Sequence, residues 1–194
     1  MKSVVGVCLG ASSVSFVKLN SEQGSPIISK KLVVSHNGKP KKVLREKLLE
    51  FNKEQLPVVV TGRKFRKLVK FTNISEPEAA EYAIDFISSK ENYSALASLG
   101  GETFMVYILD EKNKISNVIT KNQCASGTGE FFLQQIKRMG VELSEVEGLA
   151  SGSQPHKVSG RCSVFCKSDC THALNKGVPQ EEVTAGLGLM MAEK

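Results

Sequence analysis

Tryptophan is absent from this chain, and aromatic side chains make up only 6% of its 194 residues. Proteins that bind single-stranded nucleic acid use aromatic side chains, interleaved with basic ones, as stacking platforms. The net charge of +6 is instead concentrated around residues 39–47 and 63–70. Such charge runs are typical of solvated helix faces and loops. The composition therefore argues against nucleic acid as the partner.

We expect neither a signal peptide nor a membrane-spanning segment. No apolar stretch approaches the roughly 20 residues that span a bilayer, and Met1–Ser3 leads directly into a β-like run without a signal peptide. We therefore expect no membrane partner. The five cysteines are an odd number, and without an export signal they indicate reduced thiols in a cytoplasmic protein rather than a disulfide framework.

The sequence has no Cys-x-x-Cys pair, which argues against a zinc ribbon. Its cysteines instead open two runs, Cys124-Ala125-Ser126-Gly127-Thr128-Gly129 and Cys162-Ser163-Val164-Phe165-Cys166. Each run lies beside a predicted helix start, where free N–H groups and the helix dipole favour a thiolate or an anionic iron–sulfur centre. Two thiolates are half of the usual four-cysteine ligation, and a two-fold dimer would supply the other half. Burial of these cysteines as small apolar side chains remains the alternative.

The pattern of apolar residues predicts an α/β protein of one or two domains. The predicted strands are Ser3–Gly10, Val14–Leu19, Ile27–Ser35, Pro57–Val60, Ser94–Leu99, Thr103–Leu109 and Ile115–Thr120. The predicted helices are Val43–Leu56, Glu76–Ser88, Gly129–Met139, Ser144–Ala150, Cys162–Lys176 and Pro179–Ala192. Two of the hairpins have a turn of small residues, at Gly10–Ser13 and at Gly100–Gly101, so a strand–turn–strand unit is used twice.

With these motifs, the chain resembles the activator ATPases of 2-hydroxyacyl-CoA dehydratases and the related ATPase subunits of benzoyl-CoA reductases. The resemblance runs nearly end to end. It is strongest in the two cysteine runs, the Ser168-Asp169 pair and Ala185-Gly186-Leu187. It implies an actin-like (ribonuclease H-like) two-lobed ATPase fold of the acetate kinase–sugar kinase–Hsp70–actin superfold. We expect an N-terminal lobe at residues 1–83 and a second lobe at 84–194, truncated at its C-terminus.

The resemblance also implies a cofactor and partners. Cys124 and Cys162 match the two cysteines per subunit that hold one 4Fe–4S cluster on the axis of a homodimer in that family. The implied function is to couple nucleotide binding to one-electron transfer toward an acyl-CoA dehydratase or reductase component. Cys166 and Cys170 go beyond the family pattern. Because residues 162, 166 and 170 share one helix face, they form either a packing stripe with Phe165 and Leu174 or an additional metal site assisted by His172.

The nucleotide elements of the superfold match in their glycines and differ in their carboxylates. Gly10, Ala11, Ser12 and Ser13 correspond to the first phosphate hairpin, and Gly100 and Gly101 to the second, beside Glu102, which we assign to orienting the attacking water. Cys8 and Ser98 stand where carboxylates would organise Mg²⁺, which prefers oxygen ligands. The sequence ends at Lys194, before the glycine-rich adenosine element of the superfold, so either it is a piece of a longer protein or the adenine pocket is absent. We therefore expect weak ATP or ADP binding with little hydrolysis.

Two other functions compete with the activator. The first is a degenerate, non-hydrolysing actin-like module with a structural or redox-sensing role, which the substitutions at Cys8 and Ser98 favour. The second is a sugar-kinase-like phosphotransferase, which the lack of an evident catalytic aspartate after Gly100-Gly101 disfavours.

Overall fold

The computed structural model describes residues 3–22, 25–63, 65–87, 91–120 and 127–193. Its strands are β1 (Ser3–Leu9), β2 (Ser13–Glu22), β3 (Ser25–Ser35), β4 (Val58–Thr61), β5 (Thr72–Asn73), β6 (Ala95–Leu99), β7 (Phe104–Leu109) and β8 (Ile115–Ile119). Its α-helices are α1 (Pro40–Phe51), α2 (Glu76–Ile87), α3 (Gly129–Arg138), α4 (Val146–Ala150), α5 (Ser163–Asn175) and α6 (Gln180–Ala192). Short 3₁₀ helices cover Phe65–Leu68 and Leu143–Glu145.

The first sheet has five strands in the order β3-β2-β1-β4-β5. β1, β2 and β3 pair antiparallel, whereas β1, β4 and β5 pair parallel. β1 is therefore a central strand with a neighbour on each side. Its side chains Val5, Val7 and Leu9 are buried in one core with Leu44 and Phe51 of α1. This core holds the carboxyl end of β1 in place, and there the first small-residue turn begins.

The second sheet has three strands in the order β6-β7-β8. The connection between β7 and β8 is the predicted turn at residues 110–114. Asp110 Oδ1 accepts hydrogen bonds from the backbone N–H groups of Lys112 and Lys114, at 2.8 and 2.9 Å. Asn113 adopts a positive φ of 56°, which asparagine tolerates better than most residues. The side chain of Asp110 thus folds the turn locally.

The four helices from α3 to α6 surround a second hydrophobic core. Ile136 of α3, Cys166 and Cys170 of α5, and Val183 and Leu187 of α6 are buried there. α3 begins at a defined N-cap, because Thr128 Oγ1 accepts a hydrogen bond from the N–H of Phe131. Glu130 in its first turn and Lys137 and Arg138 in its last suit the helix dipole.

The chain divides into two compact units. The first comprises Met1–Leu96 and Tyr107–Val118, and the second comprises Ala97–Val106 and Ile119–Lys194. The lobe boundary that the resemblance implies, between residues 83 and 84, stays a prediction. None of the helices in the described ranges has the length and apolar character required to span a bilayer.

Helix α1 differs most from its predicted bounds, because it ends at Phe51 rather than at Leu56. The side chain of Asn52 both donates to the carbonyl oxygen of Leu56 and accepts from its N–H, each at 2.9 Å. These bonds close a loop in place of another helical turn, and Pro57 disfavours helical geometry at Leu56. The short β5 and the 3₁₀ helix before it were not predicted, since neither has a periodic apolar pattern.

Candidate functional site

The first small-residue turn connects β1 to β2 through Ala11 and Ser12. It is closed by a 3.0 Å hydrogen bond from the N–H of Gly10 to the carbonyl oxygen of Ser13. A Cβ on Gly10 would lie 3.1 Å from that oxygen, so a larger residue would press on the bond that closes the turn. The turn is a tight loop of backbone and hydroxyl groups, suited to an anionic ligand.

The carboxyl ends of β1 and β4 lie at the same edge of the first sheet, because the two strands are parallel, with Cys8 opposite Thr61. Gly62 follows β4 with a φ of 119°. A Cβ there would lie only 3.0 Å from the carbonyl carbon of Leu9, so both its conformation and its packing require glycine. In open α/β sheets, ligands bind outside the carboxyl ends of the strands. The turn at Gly10 is therefore at the expected edge.

A charged cluster occupies the same unit, centred on Glu76 at the start of α2. Arg63 donates two hydrogen bonds to its carboxylate, at 2.7 and 3.0 Å. The hydroxyl of Tyr107 donates to Oε1 at 3.4 Å, and burial, then the charge of Glu76, raises the pKa of Tyr107. The cluster also affects Cys8, since desolvation and secondly the charge of Glu76 raise the pKa of this thiol. Cys8 is consequently a neutral thiol at neutral pH.

Sequence reasoning missed Glu76, although a signal was available. The next carboxylate, Glu78, forms a capping box with Ser75: the Ser75 hydroxyl accepts from the N–H of Glu78 at 3.2 Å, and the Glu78 carboxylate accepts from the N–H of Ser75 at 3.4 Å. The Ser-x-x-Glu spacing in the sequence assigns Glu78 to the helix cap. Glu76 is not needed for the cap, which indicates that its carboxylate has partners elsewhere in the fold.

The second small-residue turn, between β6 and β7, repeats the geometry of the first. The N–H of Gly100 donates to the carbonyl oxygen of Thr103 at 3.1 Å, and a Cβ on Gly100 would lie 2.9 Å from that oxygen. Helix α3 is attached to this turn. The N–H groups of Gly129 and Glu130 donate to the carbonyl oxygens of Gly100 and Gly101, at 3.1 and 2.9 Å. The helix that follows the first cysteine run therefore begins on the second turn.

The second cysteine, Cys162, is the N-cap of α5, as the sequence predicts. Its backbone is extended, its side chain makes no capping hydrogen bond, and it is partly exposed. Cys124 lies outside the described residues, as do Ala125 and Ser126, so the predicted pairing of the two cysteines stays a prediction.

The segment that leads to Cys162 is fixed at several points. The N–H of His156 donates to the backbone carbonyl oxygen of Glu182 of α6 at 2.9 Å, and the N–H of Ser159 donates to the carboxylate of Asp169 of α5 at 2.8 Å. Gly186 of α6 allows the closest approach: a Cβ there would overlap the carbonyl oxygen of His156 and lie 2.8 Å from its carbonyl carbon. This contact explains the glycine of the Ala185-Gly186-Leu187 motif. Cys162 is thus presented on a rigid support.

Comparison with known proteins bears on what these features do. The sequence model of the BadF/BadG/BcrA/BcrD ATPase family matches residues 5–194. The chain belongs to this family. The 2-hydroxyisocaproyl-CoA dehydratase activator of Clostridioides difficile is 27% identical over 122 residues, 62% of this chain and 45% of the relative. A benzoyl-CoA reductase subunit of Thauera aromatica is 27% identical over 84 residues, 43% of this chain and 30% of the relative.

A solved structure supports the fold. The activator of the 2-hydroxyisocaproyl-CoA dehydratase from Clostridium difficile, solved with bound ADPNP, superposes with a TM-score of 0.83 at 25% identity. The match covers 98% of this chain and 72% of the other. The predicted family and the actin-like α/β fold are therefore confirmed. The chain spans less than half the length of the two curated relatives described above.

In this member of the BadF/BadG/BcrA/BcrD family, Cys166 and Cys170 are both buried in the helical core. Leu174 packs against the same core, but Phe165, predicted to share the stripe, is 63% exposed. It precedes Cys166 by one position and so points away from the core face. Within the described ranges, His, Cys, Asp and Glu side chains form no cluster of three or more that could hold a metal ion. Glu102, the predicted water-orienting residue, is exposed at the second turn.

Proposed function

We propose that this chain is the nucleotide-binding and cluster-holding part of an activator ATPase, which passes one electron to a 2-hydroxyacyl-CoA dehydratase or benzoyl-CoA reductase component. Family membership supports the class of function. One observation carries the proposal: Cys162 is itself the N-cap of α5, its side chain makes no capping hydrogen bond, and the segment that leads to it is held in place. A cysteine that only fills space in the core would not need its preceding segment to be fixed in this way.

The residues present suit both implied groups. For a nucleotide, each small-residue turn has a glycine whose Cβ would press on the bond that closes it, so both turns give a phosphate close access to backbone. For a 4Fe–4S cluster, which supplies one-electron chemistry when bound, Cys162 offers a thiolate at the positive end of α5. The proposal adds Cys124 as the second ligand, and a second copy of the chain for the other two.

The chain's own residues have distinct tasks in this proposal. The turn at Gly10–Ser13 and the turn at Gly100–Gly101 each bind phosphate oxygens, and Glu102 orients water. Cys8 stands where the superfold has a carboxylate, and Glu76 supplies a carboxylate in the same unit. Arg63 holds the Glu76 carboxylate in place. The electron comes from a low-potential one-electron donor and goes to the acyl-CoA component. Both the donor and the acceptor are therefore proteins other than this chain.

A coupling between the nucleotide and the cysteine runs follows from the attachment of α3. Because the N–H groups of Gly129 and Glu130 bind the carbonyls of the second turn, a change in that turn on nucleotide binding moves the start of α3. The first cysteine run ends at this helix start. A rearrangement there would change the hydrogen bonds and solvation near the cluster, which set its reduction potential.

The second candidate function is the non-hydrolysing module, for a redox-sensing or structural role. One observation favours it: Cys8 stands at the carboxyl end of β1 as a neutral thiol with a raised pKa. A neutral thiol is a poor ligand for the hydrated Mg²⁺ that hydrolysis requires. Both candidates retain the nucleotide turns and the cysteine site, and they differ in turnover.

Anaerobic purification with iron and sulfide analysis tests the proposal. One cluster per dimer predicts about two iron atoms per chain. Cys162→Ser should reduce iron to background while leaving the far-UV circular dichroism unchanged, since the side chain is partly exposed and contributes little to the core. Cys170→Ala is the matched control, because it removes a core thiol from the same helix, costs about 1 kcal/mol of stability, and should retain iron.

Iron analysis can reject the proposal, and an ATPase assay can reject the alternative. An anaerobic wild-type sample without iron, or a Cys162→Ser variant with full iron content, rejects the electron-transfer function. Rapid Mg²⁺-dependent ATP hydrolysis by the isolated chain would reject the non-hydrolysing alternative, whereas binding of ADP without turnover would support it.

A further inference from the structure

His36 is a buried polar residue to which the proposed function assigns no task. It follows β3 and precedes α1, and its side chain is 4% exposed. Histidine is seldom buried to this extent without specific hydrogen bonds. Its contacts therefore indicate what it does.

His36 binds both ends of the first small-residue turn. Its backbone N–H donates to the carbonyl oxygen of Ser12 at 3.0 Å, and its ring Nε2 lies 3.3 Å from the carbonyl oxygen of Gly10. On its other side, ring Nδ1 accepts the N–H of Gly38 at 3.1 Å, and the carbonyl oxygen of His36 accepts the N–H of Lys39 at 2.7 Å. One residue thus links the turn to the segment that starts α1.

These contacts define the tautomer of the ring. Because Nδ1 accepts a hydrogen bond from Gly38, the proton of the neutral imidazole is on Nε2, and Nε2–H donates to Gly10. In a trans peptide the C=O and the following N–H point in opposite directions. The bonds from His36 to Gly10 and Ser12 therefore direct the N–H groups of Ala11 and Ser13 away from His36.

We propose that His36 is a positioning residue that orients the first turn so that the N–H groups of Ala11 and Ser13 are presented to a nucleotide phosphate. The inference rests on the proposed nucleotide binding at this turn. Its side chain controls the Gly10–Ala11 peptide, and its backbone controls the Ser12–Ser13 peptide.

A purely structural role for His36 predicts something different. In that case the ring would serve mainly to hold its own loop through Gly38, and the bond to Gly10 would be incidental. Two conservative variants separate these roles. In His36→Asn, the side-chain oxygen can still accept the N–H of Gly38 as in an Asx turn, but it is too short to donate to Gly10. In His36→Gln, the amide N–H₂ can reach Gly10, but the Gly38 contact is lost.

The experiment measures two quantities for the wild-type chain and both variants. Calorimetry with ADP and Mg²⁺ gives the dissociation constant, and urea unfolding gives the stability. We expect His36→Asn to weaken ADP binding about tenfold, the effect of losing one phosphate-binding N–H, and His36→Gln to stay within about threefold of wild type. A structural role instead predicts that stability and affinity fall together, with His36→Gln affected at least as strongly. That result, or unchanged affinity in both variants, would overturn the proposal.

The backbone amide NMR signals of the ligand-free chain separate this inference from the proposed function. His36→Asn should shift the amide signals of Ala11 and Gly10 more than His36→Gln does. If the wild-type chain does not bind ADP, the nucleotide assignment fails, and the amide signals alone decide whether His36 orients the turn. Unchanged Ala11 and Gly10 signals in His36→Asn would then overturn the inference.

Discussion

Replacement of Gly186 by alanine should destabilise the second unit because there is no room for a Cβ at this position. Gly186 is buried in α6, and the backbone of His156 crosses it so closely that a Cβ would overlap the His156 carbonyl oxygen. Gly188 is in the same helix, and nothing lies within 4 Å of a Cβ built there. The two alanine variants therefore share the gain in helix propensity and differ only in the clash.

The expected free-energy changes follow from this difference. Alanine is favoured over glycine inside a helix by about 1 kcal/mol, so Gly188→Ala should stabilise by up to that amount. In Gly186→Ala, the His156 segment must move by roughly an ångström, which costs about 1–3 kcal/mol for overpacking. Loss of the bond from His156 to Glu182 adds about 1 kcal/mol. After the propensity gain, we expect a net loss of about 1–3 kcal/mol.

Urea unfolding followed by far-UV circular dichroism measures both variants. With a urea m-value of about 2 kcal/mol per molar, the midpoint of Gly186→Ala should fall by roughly 0.5–1.5 M, and that of Gly188→Ala should rise slightly. Iron content should fall in Gly186→Ala, since the displaced segment leads to Cys162. If Gly186→Ala were as stable as Gly188→Ala, the close crossing of α6 by His156 would be refuted.

The Glu76 cluster leads to two further predictions. Glu76→Gln should lower the free energy of unfolding in urea by about 1–2 kcal/mol, because it breaks a half-buried bidentate pair with Arg63. Glu78→Gln changes an exposed capping residue and should cost about 0.5 kcal/mol or less. Equal losses would contradict the assignment of Glu76 to the charged cluster and of Glu78 to the helix cap. At pH 8, alkylation of Cys8 by iodoacetamide, quantified by mass spectrometry, should be slower than that of an ordinary exposed thiol, because its pKa is raised and only the thiolate reacts. Glu76→Gln removes the negative charge that contributes to this shift, so it should lower the pKa of Cys8 and accelerate the reaction; an unchanged rate would show that desolvation alone sets the pKa.

Local signals in the sequence identified most of the fold. The small-residue turns at Gly10 and Gly100 are short-range features, and the strands beside them lie close to their predicted bounds, as does helix α3. α1 ends before its predicted last residue because the side chain of Asn52 forms hydrogen bonds with the backbone of Leu56. This is a specific contact, which a periodic pattern does not predict.

The parts of the site that were missed depend on distant contacts. Glu76 is 13 residues from Arg63 and 31 from Tyr107, and no propensity brings these three side chains together. The same holds for His36, which is 26 residues from Gly10 and has no periodic pattern around it. The Ala185-Gly186-Leu187 motif is evident in the sequence, but the reason for its glycine is the crossing by the His156 backbone, which only the tertiary structure shows.

The inward face of α5 has a practical consequence for following this protein in solution. Cys166 and Cys170 are almost completely inaccessible, whereas Cys8 and Cys162 can be reached by solvent. A thiol reagent such as Ellman's can therefore modify Cys166 and Cys170 only when the helical core opens, and the slow phase of its reaction measures how often that happens. These two cysteines, one and two helical turns beyond Cys162 on the same helix, thus report local opening of the core.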